Sequence, residues 1–213
     1  MRRLLLVLGG IIFLLQGCVA QSDYHYAKFF ENHPRSILVL PPFNESTAAD
    51  APVLFNTTVS QPFGEMGYYV FPVFLTKDVL IDMGLSDEGL LKETPLQTFK
   101  DVFGADAALY ITVKEWVTTY LAISSSVTVE ANYKLVDTGT EEVLWERTER
   151  VTKDSSGSNL IEAVVNAALN AMLTEYRPLA RHINLQVVSK PSAGLPAGPY
   201  HQSYKKDYNN FTP

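Results

Sequence analysis

Cysteine is nearly missing from this chain: among 213 residues there is one, Cys18. A lone thiol excludes an intramolecular disulfide, so the body must be held by its apolar core. Positive charge is scarce as well. Seventeen Lys and Arg stand against 23 Asp and Glu, a formal net charge of -6, and without a basic stripe there is nothing to release counterions from a phosphate backbone, so nucleic acid is not expected as a partner. Long apolar runs are short too: the one from Leu4 to Leu15 is interrupted by Gly9 and Gly10 and falls below the roughly 20 residues a spanning helix needs. The four histidines, His25, His33, His182 and His201, show no metal-ligand spacing. Hydrophobic residues at 46% and charged residues at 19% are the balance of a single folded domain with flexible ends.

The amino terminus carries the strongest local signal. Arg2 and Arg3 precede the apolar stretch, the order of an export signal; a permanent anchor helix is the alternative. Leu15-Gln16-Gly17-Cys18 follows and resembles the lipobox of bacterial lipoproteins. That resemblance implies cleavage between Gly17 and Cys18 and a covalent acyl lipid on the Cys18 sulfur, with palmitate among its chains and no other cofactor. Removing residues 1–17 takes Lys plus Arg from 17 to 15 against 23 acids, a net charge of -8. Val19, where such lipoproteins carry Asp for inner-membrane retention, implies the periplasmic face of the outer membrane. Two or three buried acyl chains, at about 0.8 kcal/mol per CH₂, suffice for stable anchoring.

Residues 18–35 read as the lipidated cysteine and a short tether. The roughly 16 residues after Cys18 reach at most about 55 Å when extended, or roughly 22 Å as a coil. Ser36 to Leu40 is a continuous apolar run stopped by Pro41-Pro42, the pattern of a strand buried on both faces. Asp50 and Pro52 open a helix through Phe55, Val59 and Phe63, kinked at Pro62 and ended by Gly67. Tyr68 to Val73 is a second strand that Pro72 confines to an end or edge. Thr76 can cap one short helix, and Thr94-Pro95 opens another that closes at Gly104. Leu109, Ile111 and Val113, then Val127 to Leu135, alternate at period two; with Val143 to Val151 they predict three antiparallel strands. Asn159 and Glu162 form a capping box for a helix along Ile161, Val165, Leu169 and Tyr176. Ile183 to Val188 predicts a last edge strand. Residues 36–188 are therefore the domain, an α/β (α+β) fold with a single mixed sheet flanked by helices in the order β-α-β-α-β-β-β-α. Residues 189–213 form an irregular tail rich in Pro, Gly and Tyr.

Three stretches carry a wider resemblance: Ile37 to Phe43 (Ile-Leu-Val-Leu-Pro-Pro-Phe), Gly104 to Val113 (Gly-Ala-Asp-Ala-Ala-Leu-Tyr-Ile-Thr-Val) and Asp137 to Trp145 (Asp-Thr-Gly-Thr-Glu-Glu-Val-Leu-Trp). With Gly67 to Val73, the chain resembles a family of bacterial lipoproteins of unknown function. That family is similar to the amino-terminal domain of TolB and is associated with CsgG-like lipoproteins. The resemblance implies a TolB-like fold and a setting in envelope assembly, secretion or transport. A CsgG-type pore needs two long hairpins of lipid-facing alternation, and only the hairpin around Ser124 to Ser126 is available here.

Other candidate chemistry is sparse. Asp78 and Asp82, at i and i+4, read as a solvated acidic face, and Ser124 to Ser126 lacks the glycine elbow of a hydrolase serine. The sequons at Asn44, Asn56 and Asn210 carry no weight in a bacterial lipoprotein. No catalytic set is assembled, so an enzyme is not expected. Two surfaces are candidate interfaces. One is the small-residue ridge Ala163, Ala167 and Ala171 beside Asn166 and Asn170, which predicts close approach of a second copy or another helix. The other is the tail aromatics Tyr200, Tyr204 and Tyr208, which suit a partner or a self-docked tail. The expected role is an accessory or scaffold lipoprotein that binds other envelope lipoproteins or transport components; a module for a small ligand or cell-wall glycan is the alternative.

Overall fold

The first strand alternates between two cores, and the rest of the architecture follows from that. In the computed structural model, which describes residues 24–120, 125–154 and 177–211, strand β1 (Ser36–Val39) sends Ile37 and Val39 into a large cluster on one face of the sheet and Leu38, with Leu40 just beyond, into a smaller one on the other. Both faces are thus dry, as a continuous apolar run requires. Helix α1 (Tyr24–Asn32) precedes β1, and β2 (Phe43–Asn44) follows it. Then come α2 (Ala51–Thr58), α3 (Ser60–Glu65), edge strand β3 (Tyr69–Val70), α4 (Val73–Asp82), α5 (Glu88–Glu93) and α6 (Leu96–Phe103). Three long strands, β4 (Ala107–Tyr120), β5 (Ser125–Asp137) and β6 (Val143–Asp154), lead to α7 (Arg177–Ser189).

The sheet order is β3-β1-β4-β5-β6, with β2 also paired to β4. β1 runs parallel to β3 and β4, whereas β4, β5 and β6 form an antiparallel meander. This is the single mixed sheet flanked by helices that the residue pattern predicts. A register shift between Val113 and Glu115 adds one residue to β4. The bulge reverses the parity, so that Trp116 joins Val113 in the large core while Val117 faces outward. α4, α5 and α6 supply Leu80, Leu91 and Phe99 to the smaller core; α1, α2, α3 and α7 cover the larger one.

Four expectations need correction. The tether is not continuous, because Tyr24–Asn32 is helical and buries Tyr26 and Phe29 in the large core. Its aromatics, spaced at three and four residues, are a packing face. Ile183 to Val188 is not an edge strand: Leu179, Ala180, Ile183, Asn184, Val187 and Val188 are buried together on one helical face of α7, so the local two-residue alternation yields to the longer period. Thr76 does not cap a helix, since α4 already starts at Val73 and Thr76 lies buried within it. The strand expected over Tyr68 to Val73 is only Tyr69–Val70, since Pro72 ends it and α4 begins at Val73; the tail is irregular as expected and docks on the body, as described below. The capping box at Asn159 lies outside the described residues.

Candidate functional site

The three stretches that carry the resemblance meet in space. Asp106, at the foot of β4, accepts hydrogen bonds at Oδ2 from the Arg35 and Ser36 amides and the Ser36 hydroxyl, at 2.9, 3.0 and 3.0 Å. The Ser36 Oγ accepts in turn from the Asp106 amide at 3.0 Å. Thr138, buried in the turn after β5, donates its hydroxyl to the Ala105 carbonyl, and Asp137 Oδ1 accepts from the Gly139 and Thr140 amides, both at 2.8 Å. These side chains join the entry of β1, the entry of β4 and the β5–β6 turn. Their role is to satisfy backbone groups where three strands end together.

Beside this brace lies an open cleft of about 340 Å³, bordered by Arg35, Lys100, Lys205, His33, Asp106 and Tyr204 among others. Two of its rim residues, His33 at φ 45° and Lys205 at φ 59°, hold left-handed backbone. Partial burial, with the nearby Lys205 charge, keeps the His33 imidazole below its ordinary pKa.

The tail supplies the second cleft. Residues 190–198 have little regular structure, yet Leu195 is fully buried in the main core. Three of their carbonyls are answered by side chains from the body: Arg147 donates to Ala193 at 2.9 Å, Tyr26 to Gly194 at 2.8 Å, and Tyr68 to Pro196. A loop can be buried when its backbone acceptors are satisfied in this way. Burial pushes the Tyr26 phenol up to about 12, with the nearby Arg147 charge opposing, and holds Tyr68 well above its usual range. At Gly67, φ is 85°, and a Cβ would lie 2.4 Å from the His201 amide nitrogen. The chain therefore crosses itself closely between residues 67 and 201.

Between the end of α7 and this tail is a cleft of about 510 Å³. Met66, Leu195 and Phe211 give it apolar walls, and Lys190, His201, Asp207 and Asn210 give it polar ones. Asp207 is 8% exposed. Its Oδ2 accepts from the Ala197 amide at 2.6 Å, whereas its Oδ1 has no hydrogen-bond partner among the described residues.

A third feature is an apolar strip at the sheet edge. Tyr69 on β3 packs edge-on against Phe71, with ring centroids 5.0 Å apart, and Phe71 meets Phe103 at 6.1 Å. On the first turn of α4, Phe74 and Leu75 are 65% and 62% exposed. Sequence reasoning placed a strand end at residues 68–73 but not this surface. The available signal was that Tyr69, Phe71, Phe74 and Leu75 exceed what one short edge strand can bury.

Of the tail aromatics, Tyr200 is 75% exposed. Tyr204 packs edge-on against His33 at 6.0 Å, and Tyr208 against Phe30 at 4.7 Å, so both are engaged within the chain. Asp78 and Asp82 are exposed on α4. Among the described residues, no group of His, Cys, Asp and Glu is placed to hold a metal ion, and no helix is long and apolar enough to cross a membrane. Gly17, Cys18, Ala163, Asn166, Ala167, Asn170 and Ala171 lie outside the described residues.

A lipoprotein of known structure shares this architecture. The crystal structure of lipoprotein GNA1162 from Neisseria meningitidis matches with a TM-score of 0.56 at 33% identity, covering 67% of this chain and all of that one. A subunit of the PelC dodecamer from Paraburkholderia phytofirmans matches at 14% identity with a TM-score of 0.48, over 78% of this chain and 90% of its own. In sequence, the protein named "Putative lipoprotein NMB1124/NMB1162" from Neisseria meningitidis serogroup B is 34% identical over 180 residues, which are 81% of this chain and 83% of that protein. Residues 24–200 match the family described as "Putative lipoprotein GNA1162-like", and this chain belongs to that family.

Proposed function

We propose that the chain is a lipid-anchored, non-enzymatic accessory subunit at the periplasmic face of the outer membrane, docking a protein of an envelope assembly or transport complex. The observation that carries the docking role is the strip from Tyr69 to Leu75. It puts two well-exposed large apolar side chains beside an edge strand only two residues long. Exposed apolar residues clustered at a sheet edge are a liability unless something covers them. Membership of a lipoprotein family and the lipobox at Cys18 support the anchor. The helix α1 shortens the leash considerably. Only residues 19–23 separate Cys18 from Tyr24, and five residues span at most roughly 18 Å. The body would then stay against the membrane, and its partner would be another membrane-attached protein, of this or another kind.

Two experiments test the two halves. Labelled palmitate should enter the wild-type chain and not Cys18→Ala, and equal labelling removes the anchor. For docking, photocrosslinking from an unnatural photoreactive residue replacing Phe74, with Cys18 kept, should give one discrete adduct in intact cells. Leu75→Glu should abolish that adduct while leaving the melting temperature within about 2 °C, as expected for an exposed site. An adduct pattern that ignores Leu75→Glu refutes the docking role.

A further inference from the structure

The cleft between α7 and the tail holds a buried carboxylate that the fold itself does not fully use. Asp207 Oδ2 serves the Ala197 amide, which closes the loop from residue 197 to 207. Oδ1 is shielded from solvent and has no donor among the described residues. A buried carboxylate oxygen left unanswered is costly, and the charge-assisted bond that would satisfy it is a strong one. The same cleft is bordered by Val188 and Ser189, the last residues of α7. The carboxyl end of a 13-residue helix carries partial negative charge, which adds to the Asp207 carboxylate within the cavity, while the exposed Lys190 stands at its rim.

The remaining walls narrow the class of ligand. His201 Nδ1 accepts from the Ser203 amide at 3.1 Å, so that nitrogen is already engaged within the tail. Met66 and Phe211 offer an apolar wall in a space of about 510 Å³, the size of a small organic molecule. A divalent metal would need several hard oxygen ligands, and no such cluster exists among the described residues.

We propose that this cleft is a binding site for a small ligand bearing a primary ammonium group on an apolar body, with the ammonium paired to the Asp207 carboxylate and the body lying against Phe211 and Met66. Binding there braces the tail against α7. The site is independent of the docking strip, which lies at β3 on the sheet edge.

The test uses benzylammonium as the probe, with benzyl alcohol and calcium chloride as comparisons, followed by amide chemical-shift titration of the mature chain. Benzylammonium should saturate and shift the Ala197 and Asn210 amides, with benzyl alcohol at least tenfold weaker and calcium without effect. Asp207→Asn keeps an oxygen for the Ala197 amide but removes the charge, so it should weaken benzylammonium at least tenfold while leaving benzyl alcohol unchanged. If that variant does not fold, the wild-type titration still decides. Equal affinities for the amine and the alcohol, a calcium response, or shifts mapping elsewhere would overturn the proposal and leave a water-filled cleft. So would an Asp207→Asn form that binds the amine as wild type does.

Discussion

Replacing Leu195 by Ala measures whether the tail belongs to the core. The side chain is fully buried in the main cluster although its neighbours are prolines, glycines and alanine. The substitution removes three carbons, which at roughly 0.8 kcal/mol each is about 2.4 kcal/mol of lost transfer energy. A cavity that the strapped backbone cannot fill raises the loss to about 3–4 kcal/mol. Relaxation is limited, because the Arg147, Tyr26 and Tyr68 side chains pin the carbonyls on either side. With a urea slope of about 2 kcal/mol/M, the midpoint should fall by roughly 1.5–2 M with the slope unchanged. The comparison is Tyr200→Ala, five residues away but mostly exposed, which should stay within about 0.5 kcal/mol of wild type. If both variants unfold at the same denaturant concentration, the tail is not part of the folded core and the argument from satisfied carbonyls fails.

Tyr133→Phe should cost about 1–3 kcal/mol in the same denaturation assay, because the Tyr133 hydroxyl donates to Asn184 Oδ1 at 2.6 Å, and Asn184 Nδ2 donates to Thr58 at 3.0 Å, all inside the core. A loss no greater than that of an exposed Tyr→Phe change would show that this chain of bonds is not formed. Gly67→Ala should destabilise by more than about 2 kcal/mol, since a left-handed φ of 85° and a 2.4 Å approach to the His201 amide nitrogen both exclude a Cβ; an unchanged thermal midpoint would contradict the crossing. Alkaline pH should unfold the protein cooperatively. Burial raises the Tyr26 pKa to about 12 and pushes Tyr68 and Tyr133 well up, so above about pH 10 the unfolded chain loses protons that the native chain keeps. Stability held below pH 10 is lost from there through the native values, and tyrosinate absorbance should rise together with loss of the fold. Ionisation of these phenols well before unfolding would refute their burial.

Elements whose signal is local were legible from the residues alone. Ser36 to Leu40 is apolar at every position but the first and so could only be a strand covered on both sides. The alternation along Leu109 to Val113 and Val127 to Leu135 admitted one in-facing set, and Gly104 marked a helix end, where its φ is 69°. The resemblance of Leu15-Gln16-Gly17-Cys18 to a lipobox is likewise a matter of four adjacent residues. Tertiary structure decided what depends on partners distant in the chain. Tyr26 and Phe29 look like aromatics on a polar leash until β6 and the tail give them something to pack against. Ile183 to Val188 alternates like a strand, but the face buried on the sheet is chosen over a window twice as long. Leu195 has no periodic neighbours at all; it is buried because Arg147, Tyr26 and Tyr68, between 48 and 169 positions away in the chain, supply the donors that the adjoining carbonyls of Ala193, Gly194 and Pro196 need. The unused oxygen of Asp207 is legible only in three dimensions, since whether a carboxylate lacks a donor depends on every group that folding brings near it.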